Sequence, residues 1–133
     1  MPAVSRGNAN PCHVPVKSAA ELIADAKARI REVSVDETMQ LIETTPDLVL
    51  LDCREPNEVN LARLPKALCI PRGILETNIE AAVPRDRPVV IYCASGNRSA
   101  FAAETLMEMG YTNVASMRGG IRAWVDAGGD VED

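Results

Sequence analysis

The sequence predicts an α/β fold: a central parallel sheet with helices on both faces. Three observations carry that prediction. Short apolar runs recur, above all Leu48-Val49-Leu50-Leu51 and Val89-Val90-Ile91-Tyr92, and they read as strands buried on both faces. Helical segments stand between the strands, and two of them open with a Ser-x-x-Glu capping box. At 133 residues, 47% of them apolar, the chain has material for one core. Aromatics are only 3%, so that core is aliphatic.

Residues 1–17 hold three prolines, a glycine and two asparagines, and read as an irregular N-terminal arm. Ser18 to Arg29 reads as an N-terminal helix, capped by Ser18 with Glu21, with Leu22, Ile23, Ala26 and Ile30 as its apolar stripe. Ile30 to Val33 reads as a short strand. Ser34 with Glu37 opens a second helix that carries Met39, Leu41 and Ile42 and ends near Thr44. After the Pro46-Asp47 turn comes the buried strand Leu48 to Leu51. Asp52, Arg54, Glu55 and Glu58 read as a surface ion-pair cluster that caps strand and helix ends, and Cys53 as a core residue. Pro56 to Leu61 reads as a short helix, and Leu68-Cys69-Ile70 as a strand stopped by Pro71. Arg72 is a candidate to face the site described next. Ile74 to Val83 reads as a helix with Leu75 and Ile79 inward, and Pro84 to Pro88 as a turn. Asn113 to Met117 is a last strand, and Gly119-Gly120 opens a helix through Trp124 that Gly128-Gly129 stops. Residues 129–133 form an acidic tail.

The chemistry is expected where the strand Val89 to Tyr92 gives way to Cys93-Ala94-Ser95-Gly96-Asn97-Arg98-Ser99. A helix reads from Ser99 to Met109, with Phe101, Leu106 and Met109 as apolar positions. In open α/β sheets this is the edge where ligands bind. Loop amides and the first helical turn offer unpartnered N–H groups, the helix dipole adds partial positive charge, and Arg98 adds a full one. Such surroundings draw a cysteine pKa down far enough for the thiolate to exist at neutral pH. The residues Ala94 to Ser99 are small, polar or basic, which is poor core material and argues against Cys93 as a mere packing residue.

This loop, Cys-x-x-Gly-x-Arg-Ser after a hydrophobic strand, resembles the active-site loop of the rhodanese superfamily of sulfurtransferases. Leu51-Asp52-Cys53-Arg54-Glu55 followed by Glu58 is similar to that family's Asp-x-Arg segment. Arg118-Gly119-Gly120-Ile121-Arg122-Ala123-Trp124 is similar to its Gly-Gly-x-x-x-Trp segment. The resemblance implies a single rhodanese-like domain over residues 30–128. It implies that Cys93 takes a sulfane sulfur from a small anionic donor such as thiosulfate, as a persulfide, and passes it to a thiol or cyanide. Ala94, Ser95, Gly96, Asn97, Arg98 and Ser99 would hold that sulfur: the amides by cradling its charge, Arg98 by attracting the donor and helping to hold the loop, Ser99 by capping the helix. Two departures stand out. Ala94 is uncharged where some thiosulfate-using relatives carry a basic residue. Ala62-Arg63-Leu64-Pro65-Lys66-Ala67 replaces the usual Gly-His-Ile-Pro-Gly-Ala, and with Lys66 in a glycine position a different turn is expected.

Composition narrows the field further. The only histidine is His13, in the arm, so cysteine–histidine and serine–histidine hydrolases are excluded. Sulfur transfer needs no imidazole base, because a preformed thiolate attacks and sulfite leaves with little proton help. The cysteines are Cys12, Cys53, Cys69 and Cys93 with no Cys-x-x-Cys pair, so neither a metal site nor a disulfide is expected, and Cys12-His13 is read as neither. No Gly-rich phosphate loop is present, and no cofactor is expected. The net charge of −5 argues against nucleic acid, and no apolar run approaches membrane-spanning length. No signal peptide is read in the arm, so a cytoplasmic location is expected. Two alternatives remain. One is a non-catalytic or sulfur-delivery module that docks on a protein acceptor, with the N-terminal helix as a docking element. The other is a cysteine phosphatase or arsenate reductase; those relatives carry Cys-x5-Arg, one residue longer than the Cys93–Arg98 spacing, and the present loop has no acid to protonate a leaving alcohol.

Overall fold

The structure, a computed structural model, describes residues 16–133. Of the arm expected over residues 1–17, Cys12 and His13 lie outside the described residues. The elements run α1 (Ala19–Arg29), β1 (Arg31–Val33), α2 (Val35–Thr44), β2 (Val49–Asp52), α3 (Pro56–Leu61), β3 (Leu68–Cys69), a 3-10 turn (Arg72–Ile74), α4 (Leu75–Ala82), β4 (Val89–Tyr92), α5 (Asn97–Glu108), β5 (Val114–Met117) and α6 (Gly120–Asp126). The five strands form one sheet in the order β1-β5-β4-β2-β3, and every pairing is parallel. The β4 strand is central and buried along its whole length, which is why its sequence is a continuous apolar run rather than an alternation.

Strand periodicity divides the core into two. Leu51, Val89 and Ile91 point to one face and meet Leu75 and Ile79 of α4 with Ala102, Ala103 and Leu106 of α5. Leu50, Val90 and Tyr92 point to the other and meet Val35 of α2 with Ile121 and Trp124 of α6. The expected α/β class with helices on both faces is what the chain adopts. The α1 helix lies against α5, with Ala26 buried and Arg29 ion-paired to Glu104. Both Ser-x-x-Glu boxes form as read: Ser18 accepts from the Glu21 amide and Ser34 from the Glu37 amide, and each glutamate returns a bond to the serine N–H.

Two expectations are corrected here. Asp52 and Arg54 are buried, not a surface cluster. The Arg54 guanidinium grips the Asp52 carboxylate at 2.8 Å and donates to the Ala62 carbonyl at 2.6 Å, so the pair joins the end of β2 to the end of α3. The turn at Lys66 does not keep the lysine out of a glycine-like conformation. Lys66 instead takes the left-handed conformation itself, at φ 64°. Antiparallel bonds between Arg63 and Glu132 flank this turn, and the Lys66 amide donates to the Glu132 carboxylate.

Candidate active site

Cys93 is the first residue past β4, at the centre of the sheet's carboxyl edge. The chain then turns through Ala94 and Ser95 to Gly96, which caps α5 with φ 101°. That left-handed φ is open to glycine at no steric cost. The helix therefore begins at Asn97, two residues before the expected start, and Ser99 is not its cap. Ser99 is fully buried inside the first turn of α5. A glycine cap leaves no side-chain signal in the sequence, whereas a serine advertises one.

The loop folds its donors inward onto the sulfur. The Gly96 amide lies 3.1 Å from Cys93 Sγ and the Ser99 amide 3.4 Å from it. The Ser99 hydroxyl is 3.5 Å from the same sulfur and 2.8 Å from the Ser116 hydroxyl of β5. Cys93 is only 1% exposed. Burial by itself would push its thiol up; the Ser99 hydroxyl and the amides of Ser99, Gly96 and Ser95 outweigh that and hold it below the ordinary cysteine range. The amides of Ala94, Asn97 and Arg98 do not bond to the sulfur. The Ala94 carbonyl accepts instead from the Arg122 amide at 3.2 Å, and the Cys93 carbonyl from the Ile121 amide at 2.9 Å. Gly120 permits this approach: a Cβ there would sit 2.4 Å from the Cys93 carbonyl oxygen.

The remaining charges are committed elsewhere. Arg98 does not stand as a free cation beside the thiol. Its two guanidinium nitrogens bond the two Glu58 oxygens at 2.8 and 2.9 Å, tying the first turn of α5 to α3. That pair holds the Glu58 carboxyl down at about 2. Arg72 is engaged as well: it bonds Glu76 and the Thr105 hydroxyl. Sequence reasoning missed Ser116, a polar residue at the last strand, and missed Glu58 as the partner of Arg98, a contact across 40 residues. Beside α3 and α6 runs an open groove of about 500 Å³, lined by Glu58, Leu61, Ile121, Arg122 and Val125 among others. The described residues include no helix long and apolar enough to cross a membrane.

Known proteins offer a comparison for this geometry. The family model described as rhodanese-like domain matches residues 34–127. A sulfurtransferase of Allochromatium vinosum is 38% identical over 99 residues, 74% of this chain and 92% of that protein. The thiosulfate sulfurtransferase GlpE of Pseudoalteromonas translucida is 31% identical over 97 residues, 71% of this chain and 88% of its own. Among solved structures, RPA3614 of Rhodopseudomonas palustris, described as a protein of unknown function and possible tyrosine phosphatase, superposes with TM-score 0.79 at 32% identity. That match covers 90% of this chain and 98% of the other.

Proposed function

The chain belongs to the family of rhodanese-like domains, its relatives support sulfur transfer in general, and from that premise we propose that it moves a sulfane sulfur through a persulfide on Cys93. The Cys93 thiolate attacks the outer sulfur of a donor such as thiosulfate. The donor's S–S bond breaks, and sulfite leaves with the bonding pair. The sulfur now carried on Cys93 is anionic at its outer atom. A thiolate or cyanide attacks that atom, takes the sulfur, and returns Cys93 as the thiolate. No proton has to move in either step, which fits a site with no histidine among the described residues.

One observation carries the reading: the Gly96 and Ser99 amides converge on the Cys93 sulfur. Fixed dipoles aimed at a charge in a water-poor site stabilise it without reorganising. On this reading Arg98 serves the loop rather than the donor, since its charge is met by Glu58. The phosphatase alternative fits less well. An arginine that clamps phosphoryl oxygens must be free to reach them, and this one is held bidentately by a carboxylate. Delivery to a protein acceptor is the second reading. Leu61 and Val125, 80% and 52% exposed beside the groove, favour it.

Incubation with thiosulfate followed by intact-mass analysis tests the proposal. One added sulfur atom, mapped to the Cys93 peptide and released by cyanide as thiocyanate, is the expected result. Cys93→Ser is expected to reduce thiocyanate formation to background. Undiminished turnover in that variant, or Cys93-dependent hydrolysis of an aryl phosphate, defeats the proposal.

A further inference from the structure

Ser116 is out of place as a core residue. It sits in the middle of β5, in register with Ile91 of β4 on one side and Glu32 of β1 on the other. Its strand neighbours Val114, Ala115 and Met117 all belong to the apolar core. Ser116 faces the same side as Val114, toward α5, and is fully buried. A buried hydroxyl in such a setting needs a partner. Its only one among the described residues is the Ser99 hydroxyl, 2.8 Å away, and that oxygen is 3.5 Å from Cys93 Sγ.

We propose that Ser116 is a positioning residue for Cys93: it donates its proton to Ser99 and so turns the Ser99 hydroxyl proton onto the sulfur. Each hydroxyl has one proton to give and lone pairs to receive another. When Cys93 is a thiolate, the order Ser116 to Ser99 to sulfur places both protons in hydrogen bonds. When Cys93 is a thiol whose proton points at Ser99, the Ser99 proton turns to Ser116, and the Ser116 proton has no hydrogen bond among the described residues; the titratable group facing it from β1 is Glu32, in register and with one buried oxygen unpartnered, which lies outside hydrogen-bond distance. The three-residue chain is strongest with negative charge at its end, because a thiolate accepts far better than a thiol. It therefore favours the thiolate over the thiol, and by the same geometry a persulfide anion over its protonated form. Without Ser116, the Ser99 hydroxyl is free to turn away toward a backbone carbonyl, as the Thr38 hydroxyl does toward the Ser34 carbonyl.

This inference rests on the reading of Cys93 as an ionised thiol, and the test separates the two. The pH dependence of alkylation by iodoacetamide, followed at the Cys93 peptide, reports the thiolate directly and needs no sulfur donor. An ordinary cysteine profile in the unaltered protein sinks the ionised-thiol reading itself. With a depressed profile in the unaltered protein, Ser116→Ala is expected to move the midpoint up by about one pH unit, close to a tenfold change in the acid constant. Ser116→Thr keeps a hydroxyl and is expected to restore most of the shift. In a Ser99→Ala background the Ser116→Ala change is expected to have no further effect, because the relay is already cut. A Ser116→Ala midpoint equal to that of the unaltered protein overturns the proposal. So does a shift of the same size with and without the Ser99 hydroxyl, since that marks a structural effect that bypasses Ser99. Should Ser116→Thr fail to fold, the double-variant comparison decides alone.

Discussion

Cys93 and Cys53 end the neighbouring strands β4 and β2 on the same face of the sheet, and the Cys53 amide continues the ladder by bonding the Tyr92 carbonyl. Their sulfurs face different partners. Burial pushes the Cys53 thiol up to about 12, and its sulfur meets only the Tyr92 carbonyl oxygen, an acceptor. Cys93 meets amide and hydroxyl donors and is drawn the other way. Brief iodoacetamide treatment at pH 7, with peptide mapping, should therefore label Cys93 and leave Cys53 unlabelled. Equal labelling of both would show that the donors do not act on the Cys93 sulfur. This contrast was only half legible. Cys93 announced itself through the loop that follows it. Cys53 reads as a core residue, as a lone cysteine after a strand usually does, and it is buried. Ser116 gave no signal at all, because one serine in a short strand fits no period and its partner lies on a helix 17 residues away.

At the scale of elements, sequence reading did best where side chains carry the signal. The two Ser-x-x-Glu boxes placed the starts of α1 and α2, and the unbroken apolar run placed β4. It did worst where backbone conformation decides. The start of α5 depends on the left-handed φ of Gly96, and the turn after α3 on the left-handed φ of Lys66, neither of which side-chain identity dictates. For a lysine this conformation costs about 1 kcal/mol. Lys66→Gly should remove most of that cost while adding some freedom to the unfolded chain, for a net gain of about 0.5 kcal/mol. Chemical denaturation measures it as a higher midpoint at unchanged slope. A lower midpoint would mean that the lysine side chain itself stabilises the turn.

Over the whole molecule, the order of strands and the links between distant segments were not readable from one sequence, because nothing local records which strands become neighbours. The Glu58–Arg98 pair is such a link, holding α3 to the first turn of α5. Its partly buried, two-pronged geometry makes it worth more than an ordinary surface pair, on the order of 1–2 kcal/mol after allowance for solvent screening. Arg98 lowers the folded-state pKa of Glu58 to about 2, so the contribution is complete above the unfolded carboxyl value near 4.5 and disappears as pH falls from there toward 2. Stability should decline across that interval in acid titrations of the unaltered protein, and Glu58→Gln should flatten the decline while lowering stability at neutral pH. An identical acid slope in the variant would show that other carboxylates govern it. The docking of Gly120 on the Cys93 and Ala94 carbonyls has a temporal meaning as well. A ribosome makes Cys93 well before it makes β5 and α6, so an emerging chain holds its cysteine before it holds the backing that shapes the loop. On the proposed reading, reactivity at that sulfur belongs to the finished molecule, and a fragment cut short of Gly120 would keep the residue while lacking its setting.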